Sequence, residues 1–212
     1  KKLAKYLNSP ESEIYHKSNV LYGLFQAKKT IVEKNNCYLV EGYTDVVSLS
    51  QAGIENVVAS AGTSLTVEQI RLIRRFTPNV TIMYDGDNAG IKASFRGINL
   101  ILTEGLNVKV LLFPDGEDPD SFAKKHTQEE LLAFMEANTT DFISFKTKLL
   151  LDETKNDPIA KAQLIHEIVE SIGLIPDSIA RSLYIKECSR LMVTDEQLLL
   201  NELNKFLRKQ KK

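Results

Sequence analysis

Apolar and polar positions follow two different rhythms along the chain. Through residue 113, short apolar runs at 37–40, 56–60, 80–84 and 108–113 read as buried strands. Between and before them, residues 20–33, 43–52, 66–76 and 88–104 carry apolar positions at helical spacing. Asn35-Asn36, Gly53, Pro78 and Gly105 punctuate these units, and Thr66-x-x-Gln69 reads as a capping box. Strand and helix alternate with short loops, which predicts a parallel sheet with right-handed crossovers.

From residue 127 the pattern becomes wholly helical. Thr127-x-x-Glu130 and Thr194-x-x-Gln197 read as capping boxes, and Asp157-Pro158 as a cap with a first-turn proline. Three apolar stripes follow: Ile159, Ala162, Ile165, Val169 and Ile172; Ile179, Leu183, Tyr184, Cys188 and Leu191; and Leu198–Leu200 with Leu203, Phe206 and Leu207. Mutual packing explains them better than a cofactor or membrane surface. The expected fold class is α/β: about four parallel strands with helices on both faces, followed by an all-helical subdomain. The expected division is a basic lead-in segment and helix (1–34), the α/β domain (35–125), the helical subdomain (126–207) and the start of a solvated linker (208–212). Ser9-Pro10 marks a short helix start in the lead-in.

Composition adds exclusions. The chain has 212 residues, 43% of them hydrophobic and 26% charged, which suits an ordinary packed core. No apolar run is long enough to span a membrane, and no signal-peptide pattern opens the sequence. Cys37 and Cys188 imply neither a disulfide framework nor a Cys-x-x-Cys metal site; they read as small hydrophobes in a reducing cytoplasm. His166-Glu167 reads as helix surface. The net charge of −1 gives no global attraction for nucleic acid, but the first 34 residues hold more lysines than acids. No P-loop and no G-x-G-x-x-G motif occurs.

The chemistry lies at strand ends. Asp85-Gly86-Asp87 follows the third strand directly and a long helix follows it. Two carboxylates this close repel by roughly 1 kcal/mol at 4 Å in water and about 4 at an effective dielectric of 20. A hard divalent cation removes that repulsion, whereas the simpler reading is a turn with solvated aspartates. An EF-hand is excluded, since Ala89 replaces an oxygen ligand and Arg96 the final Glu. Glu41 closes the first strand, Asp45 lies one helical turn beyond it, and Asp118 and Asp120 follow the fourth strand. In a doubly wound sheet these strand ends share one edge, so the acids can converge there.

Glu41-Gly42-Tyr43-Thr44-Asp45, Asp85-Gly86-Asp87-Asn88-Ala89-Gly90 and Asp115-Gly116-Glu117-Asp118-Pro119-Asp120 resemble the three motifs of the TOPRIM domain. Topoisomerases, primases and some nucleases share that metal-dependent fold. The stretches Lys5-Tyr6-Leu7-Asn8-Ser9-Pro10-Glu11, His16-Lys17-Ser18, Ala61-Gly62-Thr63-Ser64-Leu65-Thr66 and Lys92-Ala93-Ser94 narrow the resemblance to the bacterial replicative DNA primases. It runs from about residue 5 to 122; beyond that, the helical part matches in kind and placement only. Thr44 and Ser64 depart from the usual pattern, and neither is a metal ligand.

The resemblance implies a nucleotidyltransferase, a DNA-templated RNA polymerase that makes primers for DNA replication. It implies Mg²⁺ or Mn²⁺ held by Glu41, Asp85, Asp87, Asp118 and Asp120, with Asp45 in support and Glu41, Asp85 and Asp87 as the catalytic set. Glu41 would act as proton acceptor, as ligand, or as both. Lys5, Lys17 and Lys92 would handle nucleotide or template, and Asn8 would either bind nucleotide or organise its turn. Implied partners are single-stranded DNA template, ribonucleoside triphosphates and the replicative helicase, in a cytoplasmic replisome without membrane. In the family, a zinc module and part of the core precede such a segment, and a helicase-binding module is expected after residue 212. Two other functions share the motifs: a metal-dependent nuclease, which would act without nucleoside triphosphates, and a non-catalytic DNA-binding scaffold, which would be expected to lack the acids.

Overall fold

The structure, a computed structural model, describes residues 12–13, 16–60, 64–86, 88–154 and 157–210, without side chains at 88–94 and 150–154. The expected helix at Ser9-Pro10 and the loop over Ala61, Gly62 and Thr63 lie outside the described residues.

Five strands form one mixed sheet in the order β2-β1-β3-β4-β5: β1 (Cys37–Val40), β2 (Val57–Ala59), β3 (Asn79–Tyr84), β4 (Asn107–Leu112) and β5 (Thr140–Asp141). The first four are parallel, as their apolar runs predict. The fifth is a refinement of the all-helix reading after residue 127: Thr140–Asp141 returns to pair antiparallel with β4, opposite Lys109 and Val110. Two residues are too few to leave an alternation in the sequence.

Both faces are covered. On one face, α2 (Tyr43–Gln51), α5 (Pro119–Lys125) and α6 (Gln128–Asn138) meet Val40, Val57, Met83, Leu111 and Phe113. On the other, α1 (Leu24–Lys34), α3 (Val67–Arg74) and α4 (Asn88–Thr103) meet Leu39, Val58, Ile82 and Val110. That second core runs on without a break into α7 (Phe142–Thr154), α8 (Pro158–Gly173), α9 (Ser178–Met192) and α10 (Glu196–Gln210).

Several elements shift from their sequence-based bounds. The helix expected from residue 20 begins at Leu24, because Tyr22 exchanges both backbone hydrogen bonds with Ala59 and Gly23 then turns at φ 82. Asn35 ends it in the left-handed region, as its residue type allows. Thr66, Thr127 and Asp157 cap their helices, but Asp195, not Thr194, accepts from Leu198 N at the start of α10. The last helix continues through Gln210. The apolar stripes are rotated: Leu164 and Ile168 join Val169 and Ile172, while Ile159 is 80% exposed. On α9, Ile185, Cys188 and Met192 are buried, whereas Ile179 and Leu183 face outward. These helices carry more apolar residues than one face holds, so spacing alone leaves the phase open. Gly173 sets one contact directly, since a Cβ there would stand 2.4 Å from a ring carbon of Phe206. Cys37 and Cys188 are buried and free, and His166 sits at the surface 4.0 Å from Glu202.

At the amino ends of the strands, side-chain amides and hydroxyls pair with each other. Thr77 Oγ1 donates to Asn35 Oδ1 (3.0 Å) and Thr81 Oγ1 to Asn36 Oδ1 (3.1 Å). Asn56 Nδ2 donates to the Asn36 carbonyl (2.8 Å), Asn79 Nδ2 to the Asn35 carbonyl (2.9 Å) and Asn107 Nδ2 to Asn79 Oδ1 (2.8 Å).

Candidate metal centre at the carboxyl edge of the sheet

The chain leaves β1 toward β2 on one side and reaches β3 on the other, so the strand order reverses between β1 and β3. Ligands of open α/β sheets bind at such a switch, beyond the strand carboxyl ends. Glu41 and Asp85 stand on its two sides. In the register, Leu39 pairs with Ile82, so two residues further Glu41 comes level with Tyr84, one residue short of Asp85. Glu41 is exposed and Asp85 half-buried.

The backbone around Asp85 is fixed on both sides. Phe113 N donates to the Tyr84 carbonyl (3.0 Å), and Gly86 N donates to the Glu117 carbonyl (3.0 Å). Gly86 permits this approach: a Cβ there would lie 2.0 Å from the Pro114 carbonyl oxygen. The turn after β3 is thereby tied to the turn after β4. Asp87, the other half of the motif, lies outside the described residues.

A second acidic group forms where α2 packs on α5. Asp118 caps α5, its Oδ1 accepting from Ser121 N (2.6 Å). Asp120, in the first turn, accepts from Ser48 Oγ of α2 and from Lys124 Nζ (2.7 Å). Asp45 of α2 accepts from Gly42 N (2.9 Å) and is only 8% exposed. Burial raises its carboxyl pKa to about 6, and the charges of Asp118 and Asp120 push the same way. The Ser48–Asp120 contact was not legible in the sequence, because only the α2–α5 packing brings the two together.

Among the described residues, no three His, Cys, Asp or Glu side chains close on a common point suited to a metal ion. The donor chemistry still fits a hard divalent cation: every candidate ligand offers carboxylate oxygen, with no thiolate or imidazole. The raised Asp45 carboxyl is chiefly an effect of burial, to which the neighbouring charges of Asp118 and Asp120 add.

Of the other expected residues, Lys5 and Asn8 lie outside the described residues, and Lys92 falls on α4 where side chains are not described. Lys17 opens a 3-10 turn, Lys17–Asn19, which α3 holds in place. Gln69, fully buried, donates to the carbonyls of Lys17 (3.0 Å) and Val20 (2.8 Å), and Thr66 Oγ1 donates to that of Ser18 (2.6 Å). Gln69 was legible only as half of a capping box; its hold on the lead-in segment was not.

Three family descriptions match the chain: Toprim-like over residues 38–123, the N-terminal domain of the DNA primase catalytic core over 1–28, and the DnaB-helicase binding domain of primase over 145–197. The last adds to the expectation, since a helicase-binding description already falls within the helical part of the chain. The DNA primase of Staphylococcus epidermidis is 36% identical over 94% of the chain, and that of Staphylococcus aureus 35% over 94%. The chain spans about a third of the length of these relatives, 33% in each case. Among solved structures, a DNA primase domain from Pseudomonas aeruginosa superposes with TM-score 0.82 at 30% identity, over 97% of this chain and 64% of that one. A DnaG catalytic core superposes with TM-score 0.78 at 36% identity, over 93% and 64%. A DnaG catalytic domain solved with single-stranded DNA gives 0.76 at 37%, over 88% and 61%.

Proposed function

Since the chain belongs to the bacterial DnaG-type primases, we propose that it supplies the catalytic edge of an enzyme that copies single-stranded DNA into short RNA primers. The observation that carries this reading is the turn after β3, with Asp85 pinned at the switch point between Tyr84 and Gly86. In it, ribonucleoside triphosphates are the substrates and the transfer is a nucleotidyl transfer. Primer synthesis is assigned to the longer protein, of which relatives suggest this is about a third.

Glu41, Asp85, Asp87, Asp118 and Asp120 would hold Mg²⁺ or Mn²⁺. The bound ion would supply Lewis acidity and charge compensation for phosphoryl oxygens. The chain's own residues set the geometry. Gly86 lets the turn close on Pro114, Ser48 and Lys124 orient the Asp120 carboxylate, and Gly42 N–H holds Asp45. Asp118 gives one oxygen to the α5 cap, which fixes its rotamer beside Asp45. Lys17, with Lys5, Asn8 and Lys92, would meet nucleotide or template phosphate, and the Gln69 anchor keeps Lys17 in place for it. The helicase partner would meet the region of residues 145–197. The protein would work in the cytoplasm; among the described residues, no helix is long and apolar enough to cross a membrane.

The test is the full-length protein with single-stranded DNA, labelled ribonucleotides and Mg²⁺ or Mn²⁺. Short RNA products that need template and metal, and vanish with Asp87→Asn, are expected. Cleavage of the DNA without nucleoside triphosphates, and no RNA product, would favour the nuclease reading and overturn this one.

A further inference from the structure

Lys146 of α7 is 2% exposed, a buried ammonium. Its Nζ donates to Ser171 Oγ of α8 (2.6 Å) and stands 4.7 Å from the ring centre of Phe95 on α4. Ser171, itself fully buried, is 2.9 Å from Asn99 Oδ1 on α4 and 3.0 Å from the Glu167 carbonyl. No carboxylate pairs with Lys146 among the described residues; Glu167 and Glu170 of α8 act on it only at a distance. Burial lowers its pKa to about 8.

A buried ammonium without a carboxylate partner carries a desolvation cost that an apolar side chain of similar length would not. Stability therefore gives no reason for a lysine at this position. Its contacts suggest another. Phe95 and Asn99 lie on the helix that starts at Asn88, immediately after the Asp85–Asp87 turn. The neighbouring Phe145 of α7 stacks on Tyr84 at 6.2 Å and meets Phe95 edge-on at 6.4 Å. Tyr84 is the last residue of β3, next to Asp85. Two adjacent residues of α7 thus grip both sides of the acidic turn, Phe145 the strand entering it and Lys146 the helix leaving it.

We propose that Lys146 is a positioning residue, which through Ser171, Asn99 and Phe95 fixes α4 against the end of β3 and so holds Asp85 in place for the divalent cation. The proposal rests on the metal-dependent reading above. It makes the α7–α8 layer part of the metal site's support, although none of its side chains reaches the edge of the sheet.

The experiment uses the full-length protein with Lys146→Met. Mn²⁺ binding, followed by electron paramagnetic resonance without substrate, should weaken about tenfold, the usual effect of removing a group that orients a ligand. In primer synthesis, the half-saturating Mn²⁺ concentration should rise by a similar factor, with affinity for single-stranded DNA unchanged. Thermal stability should be equal or higher, which separates positioning from a structural role. Mn²⁺ affinity within twofold of wild type in a folded Lys146→Met protein would overturn the proposal. Should that variant not fold, Ser171→Ala, which removes one oxygen, should weaken Mn²⁺ binding about threefold, and an unchanged affinity would overturn the proposal equally. If the wild type bound Mn²⁺ but made no primers, the primase reading would fail while the binding comparison still tested Lys146.

Discussion

The two ends of the sheet solve the problem of polar groups at strand termini in opposite ways. At the amino ends, Asn35, Asn36, Asn56, Thr77, Asn79, Thr81 and Asn107 pair donor with acceptor, and all are uncharged. Little there calls for an outside partner; Asn56 Oδ1 is the single atom of this group buried without a hydrogen bond. At the carboxyl ends stand Glu41, Asp85, Asp118 and Asp120, with Asp45 buried behind them. Lys124 pairs with Asp120 at 2.7 Å. One end is neutral and pairs within itself, and the other gathers carboxylates. Such an imbalance, held on rigid strands, is what a cation-dependent site requires.

Four substitutions would break or sharpen that contrast. The largest effect should follow Asp85→Asn in the full-length protein: primer synthesis falls by at least about a hundredfold, the scale of several kcal/mol that a bound cation supplies. Its melting curve should match wild type, because a half-buried acid at a strand end carries little packing. Retained synthesis would remove Asp85 from the site.

Gly86→Ala comes next. Its methyl would enter the 2.0 Å gap to the Pro114 carbonyl, so the two turns must separate. A loss of roughly 3–5 kcal/mol in urea unfolding is expected, at the upper end for one substitution. A loss below 1 kcal/mol would mean the turns part easily.

Asp45→Asn should act in the opposite direction. With its pKa raised from 3.8 to about 6, the folded state holds the Asp45 proton more tightly than the unfolded state does. Stability therefore falls as pH rises between those values, and the opposition is complete above pH 6. In chelator-treated buffer the variant should be more stable by about 2 kcal/mol at pH 8, with most of that gain lost at pH 4. An equal gain at both pH values would place its origin in packing. The smallest effect belongs to the neutral end: Thr81→Val leaves Asn36 Oδ1 without its donor and should cost about 1 kcal/mol with primer synthesis unchanged.

What the sequence revealed was mostly local. The Asp85-Gly86-Asp87 turn, the box at Thr66, the stop at Asn35 and the four apolar runs each depend on residues a few positions apart. The supports of the site were hidden for the opposite reason. Ser48 meets Asp120, Gln69 holds Lys17, and Lys146 meets Ser171, itself bonded to Asn99, only after distant helices dock. Spacing also failed to phase α8 and α9, where Ile159, Ile179 and Leu183 look like core by period yet stand outside it. Convergence of the acids was inferred from topology, and the tie between Gly86 and Glu117 is its nearest structural counterpart.

The short strand β5 and the bridge at Tyr22 have a shared consequence for how this chain meets others. β5 pairs along the outer side of β4, and Tyr22 does the same for β2 through Ala59. Both flanks of the sheet are thus partly occupied by the chain's own backbone, at Lys109–Val110 on one side and Ala59 on the other. An incoming extended peptide would have to displace these pairings before it could add a strand. Recognition by strand addition is accordingly disfavoured along these flanks. Any partner is left to approach through loops, helix surfaces and the acidic edge.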